Sequence, residues 1–143
     1  MAAESTNNGY ILGIDYGQRY IGLALASPVA KLPRPLVSVE NTDIYPKLQE
    51  TIRSEDVSTV VVGLPKNLEG KDTKQTQIIR QFAEDLKKQL NVDVILADEA
   101  LSSVRAQEYI QSHKSKNNDI DSIAACFILE EYFAQIAEGR IDG

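Results

Sequence analysis

The sequence predicts a single α/β domain built on a five-stranded mixed sheet flanked by helices, in the order β-β-β-α-β-α-β-α-α. Three observations carry this expectation. Two short, branched apolar runs, YILGID from Tyr10 and IGLALAS from Ile21, are separated by a polar turn containing Gly17, the pattern of a hairpin. The run STVVVGLP holds three consecutive valines, as expected of a strand buried on both faces and therefore central and parallel. Ile78, Ile79, Phe82, Ala83, Leu86 and Leu90 recur with the 3.6-residue period of a helix that packs one face only. Antiparallel strands followed by strand-helix alternation give a mixed sheet with helices on its faces.

After the hairpin, PLVSVE reads as a third strand ending at Glu40. Asp43 is placed to cap the next helix, Pro46 is tolerated in its first turn, and Leu48 and Ile52 share its apolar face. The triple-valine strand is expected to stop at Gly63 and Pro65. Beyond a polar loop, Asp72 or Thr73 opens the long helix. VDVILA reads as the fifth strand, Ser102 as the cap of a helix reaching about Gln111, and a final helix runs from about Asp119 to Gln135. The domain is expected to span 10–137, with flexible tails at 1–9 and 138–143.

The length, 143 residues, suits one domain with a hydrophobic core and is expected to exclude two-lobed enzymes. With 43% apolar and 25% charged residues, the composition is that of a folded chain. Fifteen Lys and Arg stand against 21 Asp and Glu, a net charge of −6, which argues against coating of nucleic acid while leaving room for a compact site with basic walls. Cys126 and His113, the only residues of their kinds, cannot form an intramolecular disulfide or a structural zinc site. Cys126 falls in the apolar part of the final helix with Phe127 and Ile128, as a small buried thiol does, and His113 in a polar loop reads as solvated. No apolar stretch is long enough to span a membrane, and the start MAAESTNNGY has neither the basic head nor the apolar core of a signal peptide. A cytoplasmic protein with no membrane partner is expected.

Asp15 ends the apolar run ILGI, where a carboxylate is shielded from water and either accepts bonds from the turn at Gly17 or takes a cation. Asp98 and Glu99 follow VILA in the same way, placing one or both at a strand mouth or in a solvated loop. Asp121 lies in the first turn of the final helix, where the helix dipole alone favours an acid. In open α/β sheets, sites gather at strand ends and facing helix N-termini, so these distant carboxylates can meet. Oxygen ligands without His or Cys suit Mg²⁺ or Mn²⁺. Two such ions can activate water and stabilise the leaving oxygen of a phosphodiester.

Asp15-Tyr16-Gly17 with Ile21-Gly22-Leu23-Ala24, then VVVGLPKNLEG, ADEALSS and IDSIAACFIL, resemble four blocks of the YqgF family, in order, from Tyr10 to about Phe133. That family groups candidate Holliday junction resolvases and is linked to processing of the 5′ end of pre-16S ribosomal RNA. The resemblance implies a ribonuclease-H-like fold and a metal-dependent nuclease acting on structured nucleic acid, either precursor ribosomal RNA or branched DNA. It assigns the catalytic, metal-binding acids to Asp15, Glu99 and Asp121. It also implies that GLPKN presents backbone donors or Lys66 and Asn67 to a nucleic-acid backbone, although Gly63 and Pro65 themselves read as strand terminators.

Two departures bear on activity. Where the family has Arg shortly before the Ile-Gly pair, Tyr20 stands here, with Arg19 one position earlier; and where it reads Asp-Glu-Arg-Leu, this chain has Ala100. Ala supplies no guanidinium clamp for phosphate. Arg105, at the third position of a helix capped by Ser102, opposes the helix dipole. It either replaces the arginine lacking at 100 or is a solvated surface charge. Residues 64–80 carry Lys66, Lys71, Lys74 and Arg80 against Glu69 and Asp72, and 102–118 carry Arg105, Lys114 and Lys116 against Glu108, each a net +2. These stretches flank the acids in sequence and would make binding salt-sensitive. A second reading retains the fold without catalysis, as a module binding nucleic acid or protein. A third, suggested by the likeness of GIDYGQRYIGLAL to the phosphate hairpin of actin-like ATPases and sugar kinases, is set aside because those enzymes close two such domains around a nucleotide. A monomer or homodimer is compatible with the resemblance.

Overall fold

Strand pairing builds the sheet outward from the first hairpin. In the computed structural model, which describes residues 9–65, 73–98, 108 and 120–139, β1 (Tyr10–Asp15) pairs antiparallel with β2 (Tyr20–Ala26), and β2 with β3 (Arg34–Glu40). β4 (Val57–Leu64) lies parallel between β1 and β5 (Asp93–Asp98), giving the order β3-β2-β1-β4-β5. The mixed five-stranded sheet expected from the sequence is therefore the one that forms. The three valines occupy its interior: Val60, Val61 and Val62 are all fully buried, which only a strand covered on both faces allows. Gly63 does not stop β4 as expected, since it still pairs with Ala97; the strand ends before Pro65, which has no N–H to continue the ladder.

The two faces carry different cores. Leu12, Ile14, Leu23, Val60 and Val62 pack on Leu48 of α1 (Ile44–Ser54) and on Ile79, Phe82 and Leu86 of α2 (Lys74–Gln89). On the reverse, Ile11, Ala24, Ala26, Val61 and Ala97 meet Ala125, Ile128, Leu129 and Tyr132 of α3 (Ile120–Ala137). Each large aliphatic or aromatic side chain withdrawn from water contributes roughly 1.5–3 kcal/mol. The second face is paved with small residues, so α3 rides close to the strands. A Cβ built on Gly13 would lie 2.7 Å from the Leu129 side chain.

Helix ends show where local reading succeeds and fails. Thr73 opens α2 with a reciprocal box: its hydroxyl accepts from the Thr76 backbone N–H at 3.2 Å, and its own N–H donates to the Thr76 hydroxyl at 2.7 Å. Asp43 stands at the N-cap of α1 but does not cap it. Its backbone is left-handed (φ 52°, ψ 50°) rather than extended, so its carboxylate makes no bond to the first turn. Ile78 is also corrected: it is 38% exposed, whereas Ile79 beside it is buried with Phe82, Ala83 and Leu86 on the stripe facing the sheet. Cys126 is half-buried rather than fully enclosed. The helix expected from Ser102 to about Gln111, and His113 and Ala100 with it, lie outside the described residues, apart from Glu108, which is helical. Among the described residues no helix is long and apolar enough to cross a membrane.

Candidate active site

Asp15 is the last residue of β1, and its ladder partner is Gly22 on β2. Residues directly opposite in an antiparallel pair share a face, and the face of Gly22 is the one on which α3 begins. A Cβ on Gly22 would lie 2.0 Å from the carbonyl oxygen of Asp121. The first turn of α3 thus rests on bare strand backbone, and it delivers Asp121 to the end of β1. Two acids far apart in sequence become neighbours through one glycine.

Their proximity is visible in the chemistry of Asp15. Its carboxyl is raised from an ordinary 3.8 to about 7, first because it is largely withdrawn from water and second because the Asp121 carboxylate repels a further negative charge. A carboxyl so placed is close to half protonated at neutral pH. A cation shared by the pair would reverse this, and oxygen donors without His or Cys fit a hard divalent ion such as Mg²⁺ or Mn²⁺. Two carboxylates make an incomplete cage, and among the described residues no group of three His, Cys, Asp or Glu could hold a metal. Glu99, expected as the third ligand, lies outside the described residues, as do Lys66, Asn67, Lys71 and Arg105.

Asp98 does not join the pair. It ends β5 opposite Leu64, whose side chain belongs to the core beneath α1 and α2, so strand alternation sets Asp98 on the other side of the sheet from Asp15. Its backbone carbonyl accepts a 3.2 Å bond from the buried Gln135 amide. Since α3 touches β2 at Asp121, β1 at Leu129 and the end of β5 at Gln135, it crosses the sheet obliquely.

Residues 9–135 match the model of a family designated RuvX and described as Holliday junction resolvase. The chain belongs to the RuvX family. This is the family, also written YqgF, that the sequence motifs resemble. Among RuvX-like relatives, a Rickettsia felis protein is 34% identical over 130 residues, covering 86% of this chain and 84% of the relative. One from Maridesulfovibrio salexigens is 33% identical over 132 residues, covering 87% and 98%. Both carry the provisional name pre-16S rRNA nuclease. Thermus thermophilus RuvC, solved with a Holliday junction substrate, superposes with a TM-score of 0.54 over 92% of this chain and 97% of its own, at 14% identity. That likeness shows the fold, which is ribonuclease-H-like.

Within this RuvX-family chain, two features escape a reading by residue type. Asn41, just after β3, donates its side-chain amide to the Gly17 carbonyl at 2.8 Å and its backbone N–H to Arg19 at 2.9 Å, pinning the turn that follows Asp15. Gly22 provides the floor on which Asp121 is positioned, and the signal for it was available as an isolated glycine inside a strand pattern. Where the family pattern carries Arg, Tyr20 opens β2. The adjacent Arg19 guanidinium lies over its ring, 5.5 Å from the centroid.

Proposed function

We propose that the chain is a metal-dependent nuclease that hydrolyses phosphodiester bonds in structured nucleic acid, with precursor 16S ribosomal RNA or a four-way DNA junction as substrate. The observation that carries this reading is the largely buried Asp15 carboxyl, raised to about 7 beside Asp121. Such a pair is unfavourable when both members ionise unless positive charge is shared between them. In this proposal Asp15, Asp121 and Glu99 are the acids that hold Mg²⁺ or Mn²⁺. When bound, the divalent ion supplies Lewis acidity toward water and toward the leaving oxygen of the phosphodiester.

The residues of the chain do the positioning. Asp15 must give up its proton to act as a ligand, and the rigid ladder position opposite Gly22 keeps its carboxylate at one place on the sheet. Asp121 stands in the first turn of α3, where the helix dipole supports its negative charge. Lys66, Asn67, Lys71 and Arg105 are proposed to hold the nucleic-acid backbone, so binding weakens as salt rises.

The test is cleavage of precursor ribosomal RNA and of four-way DNA junctions, with and without Mn²⁺. The expected result is metal-dependent cutting of at least one substrate, reduced on the order of 10²-fold or more in Asp15→Asn while the circular dichroism spectrum is retained. The stacking of Arg19 on Tyr20 favours a second reading, because it engages the guanidinium nearest to the family's arginine position. In that reading the chain is a binding module. Binding of either substrate without cleavage under Mg²⁺ or Mn²⁺ would establish it in place of the nuclease.

A further inference from the structure

We propose that the cleft between α1 and α2 receives a cationic side chain, an arginine or lysine presented by a basic segment of a partner protein. The cleft is open to solvent and has a volume of about 430 Å³, within the range of small-ligand sites. Tyr16, Tyr45 and Phe82 are among the residues that line it, and the rings of Tyr16 and Phe82 are centred 4.7 Å apart and inclined at 51°. Asp43 and Asp85 also line it, and among the described residues no Lys or Arg does.

Several features without a role elsewhere converge here. Asp43 stands at a helix N-cap yet makes no capping bond, and it lines the cleft instead. Ile78 is the apolar residue of α2 that stays exposed, and it forms part of the rim. Asp85 is held in place by the Gln81 amide, which donates to it at 3.0 Å. The Tyr45 hydroxyl is shifted upward by burial, by Asp85 and by Tyr16, as expected where negative charge is already concentrated.

Ring faces and carboxylates attract the same class of group. A guanidinium stacks its plane on an aromatic face while donating N–H bonds to a carboxylate, and an ammonium does the same as a point charge. Phosphate is repelled by both acids, which sets nucleic acid below a basic peptide as the occupant. The cleft is also separate from the acid pair. Asp15 and Tyr16 are consecutive, but Asp15 faces α3 whereas Tyr16 packs on the core beneath α1 and α2. A bound side chain would therefore sit behind the sheet and leave the Asp15–Asp121 face open.

The test is an NMR titration of the full chain with acetyl-Arg-Arg-Arg-amide at low ionic strength, following the aromatic resonances of Tyr16, Tyr45 and Phe82. Saturable shifts at these rings are expected, with none from the isosteric tri-citrulline peptide. Affinity should fall about threefold in Tyr45→Leu, and about tenfold in the double variant Asp43→Asn, Asp85→Asn. Asn tolerates the left-handed backbone at 43, so this variant is expected to fold, and Tyr45→Leu provides an independent check at a half-buried position. The variant Glu130→Gln, Glu131→Gln on α3 should bind as the parent does. Equal losses in both charge variants, or shifts indifferent to Asp43 and Asp85, would reduce the effect to diffuse attraction and overturn the proposal. Tighter displacement of the same rings by oligouridylate would overturn it in favour of base stacking.

Discussion

Asp15 lies directly opposite Gly22 in the β1–β2 ladder, and the absence of a side chain on Gly22 is what lets the Asp121 backbone settle against the sheet. The acid pair is a product of packing as much as of motif. Position 22 has no contact to offer a substrate, yet it governs the distance between the two carboxylates.

Gly22→Ala should therefore be among the most damaging single-methyl additions in the chain. A Cβ there meets backbone at 2.0 Å, and backbone cannot rotate aside. Overpacking typically destabilises by about 1–3 kcal/mol, and this clash should reach or exceed the top of that range. Gly13→Ala, whose added Cβ meets the buried Leu129 side chain at 2.7 Å and the Ala125 carbonyl oxygen at 3.0 Å rather than backbone at 2.0 Å, should be milder. Urea denaturation of both variants measures the difference.

Asp15→Asn should make the metal-free protein more stable above neutral pH. The folded carboxyl titrates near 7 and the unfolded one near 3.8, so the native state keeps a proton that the unfolded state releases. The penalty is absent below about pH 4, grows as pH rises between the two values, and is complete above 7, at about 4 kcal/mol at most. Denaturation in the presence of chelator at pH 5 and pH 8 should show the variant's advantage widening with pH. An advantage that narrows would contradict the origin assigned to the shift.

Mg²⁺ or Mn²⁺ should raise the melting temperature of the parent chain more at pH 8 than at pH 5, because protonated Asp15 is a poor ligand. A tenfold excess over the dissociation constant stabilises by about 1.4 kcal/mol. Asp15→Asn should lose most of this response in a thermal-shift assay.

Thr73→Ala should destabilise by about 1 kcal/mol through loss of the reciprocal box at the start of α2. Asp43→Asn should change stability by less than about 0.5 kcal/mol, because the Asp43 side chain makes no capping bond and Asn adopts a left-handed backbone readily. Chemical denaturation of the two variants side by side distinguishes a cap from a residue that merely stands where a cap would be.

Cys126 should resist alkylation in the native state. Burial, with Glu130 nearby, pushes its thiol up to about 12, so the reactive thiolate is scarce at pH 8. Iodoacetamide should label it on the order of 10³-fold more slowly than in urea, with labelling read by mass spectrometry.

The sequence announced the sheet through residues whose environment is dictated by type. Three valines in a row have few places to go except a central strand, and the spacing of Ile79, Phe82, Ala83 and Leu86 admits one buried stripe. Asp15 and Asp121 were legible because a carboxylate at the end of an apolar run and one in a first helical turn are both conspicuous. Asp43 was misread because capping depends on backbone dihedrals, which residue type constrains weakly. Ile78 was misread because, about 100° round the helix from Ile79, it falls at the edge of the stripe that Ile79, Phe82, Ala83 and Leu86 define rather than within it. The distinction between Asp98 and Asp15 needed strand register, since alternation separates faces only once the pairing is known.

The meander of β1, β2 and β3 joins neighbours in sequence, whereas β4 and β5 return to it from farther along the chain, and α3 covers its reverse face last. Asp15 is thus synthesised before Asp121, with β2 to β5 between them. Until α3 emerges and finds the bare backbone at Gly22, Asp15 stands at the end of β1 without Asp121 beside it. The acid pair therefore comes into being only after all five strands have been made, when α3 docks on the bare backbone at Gly22 and sets Asp121 beside Asp15.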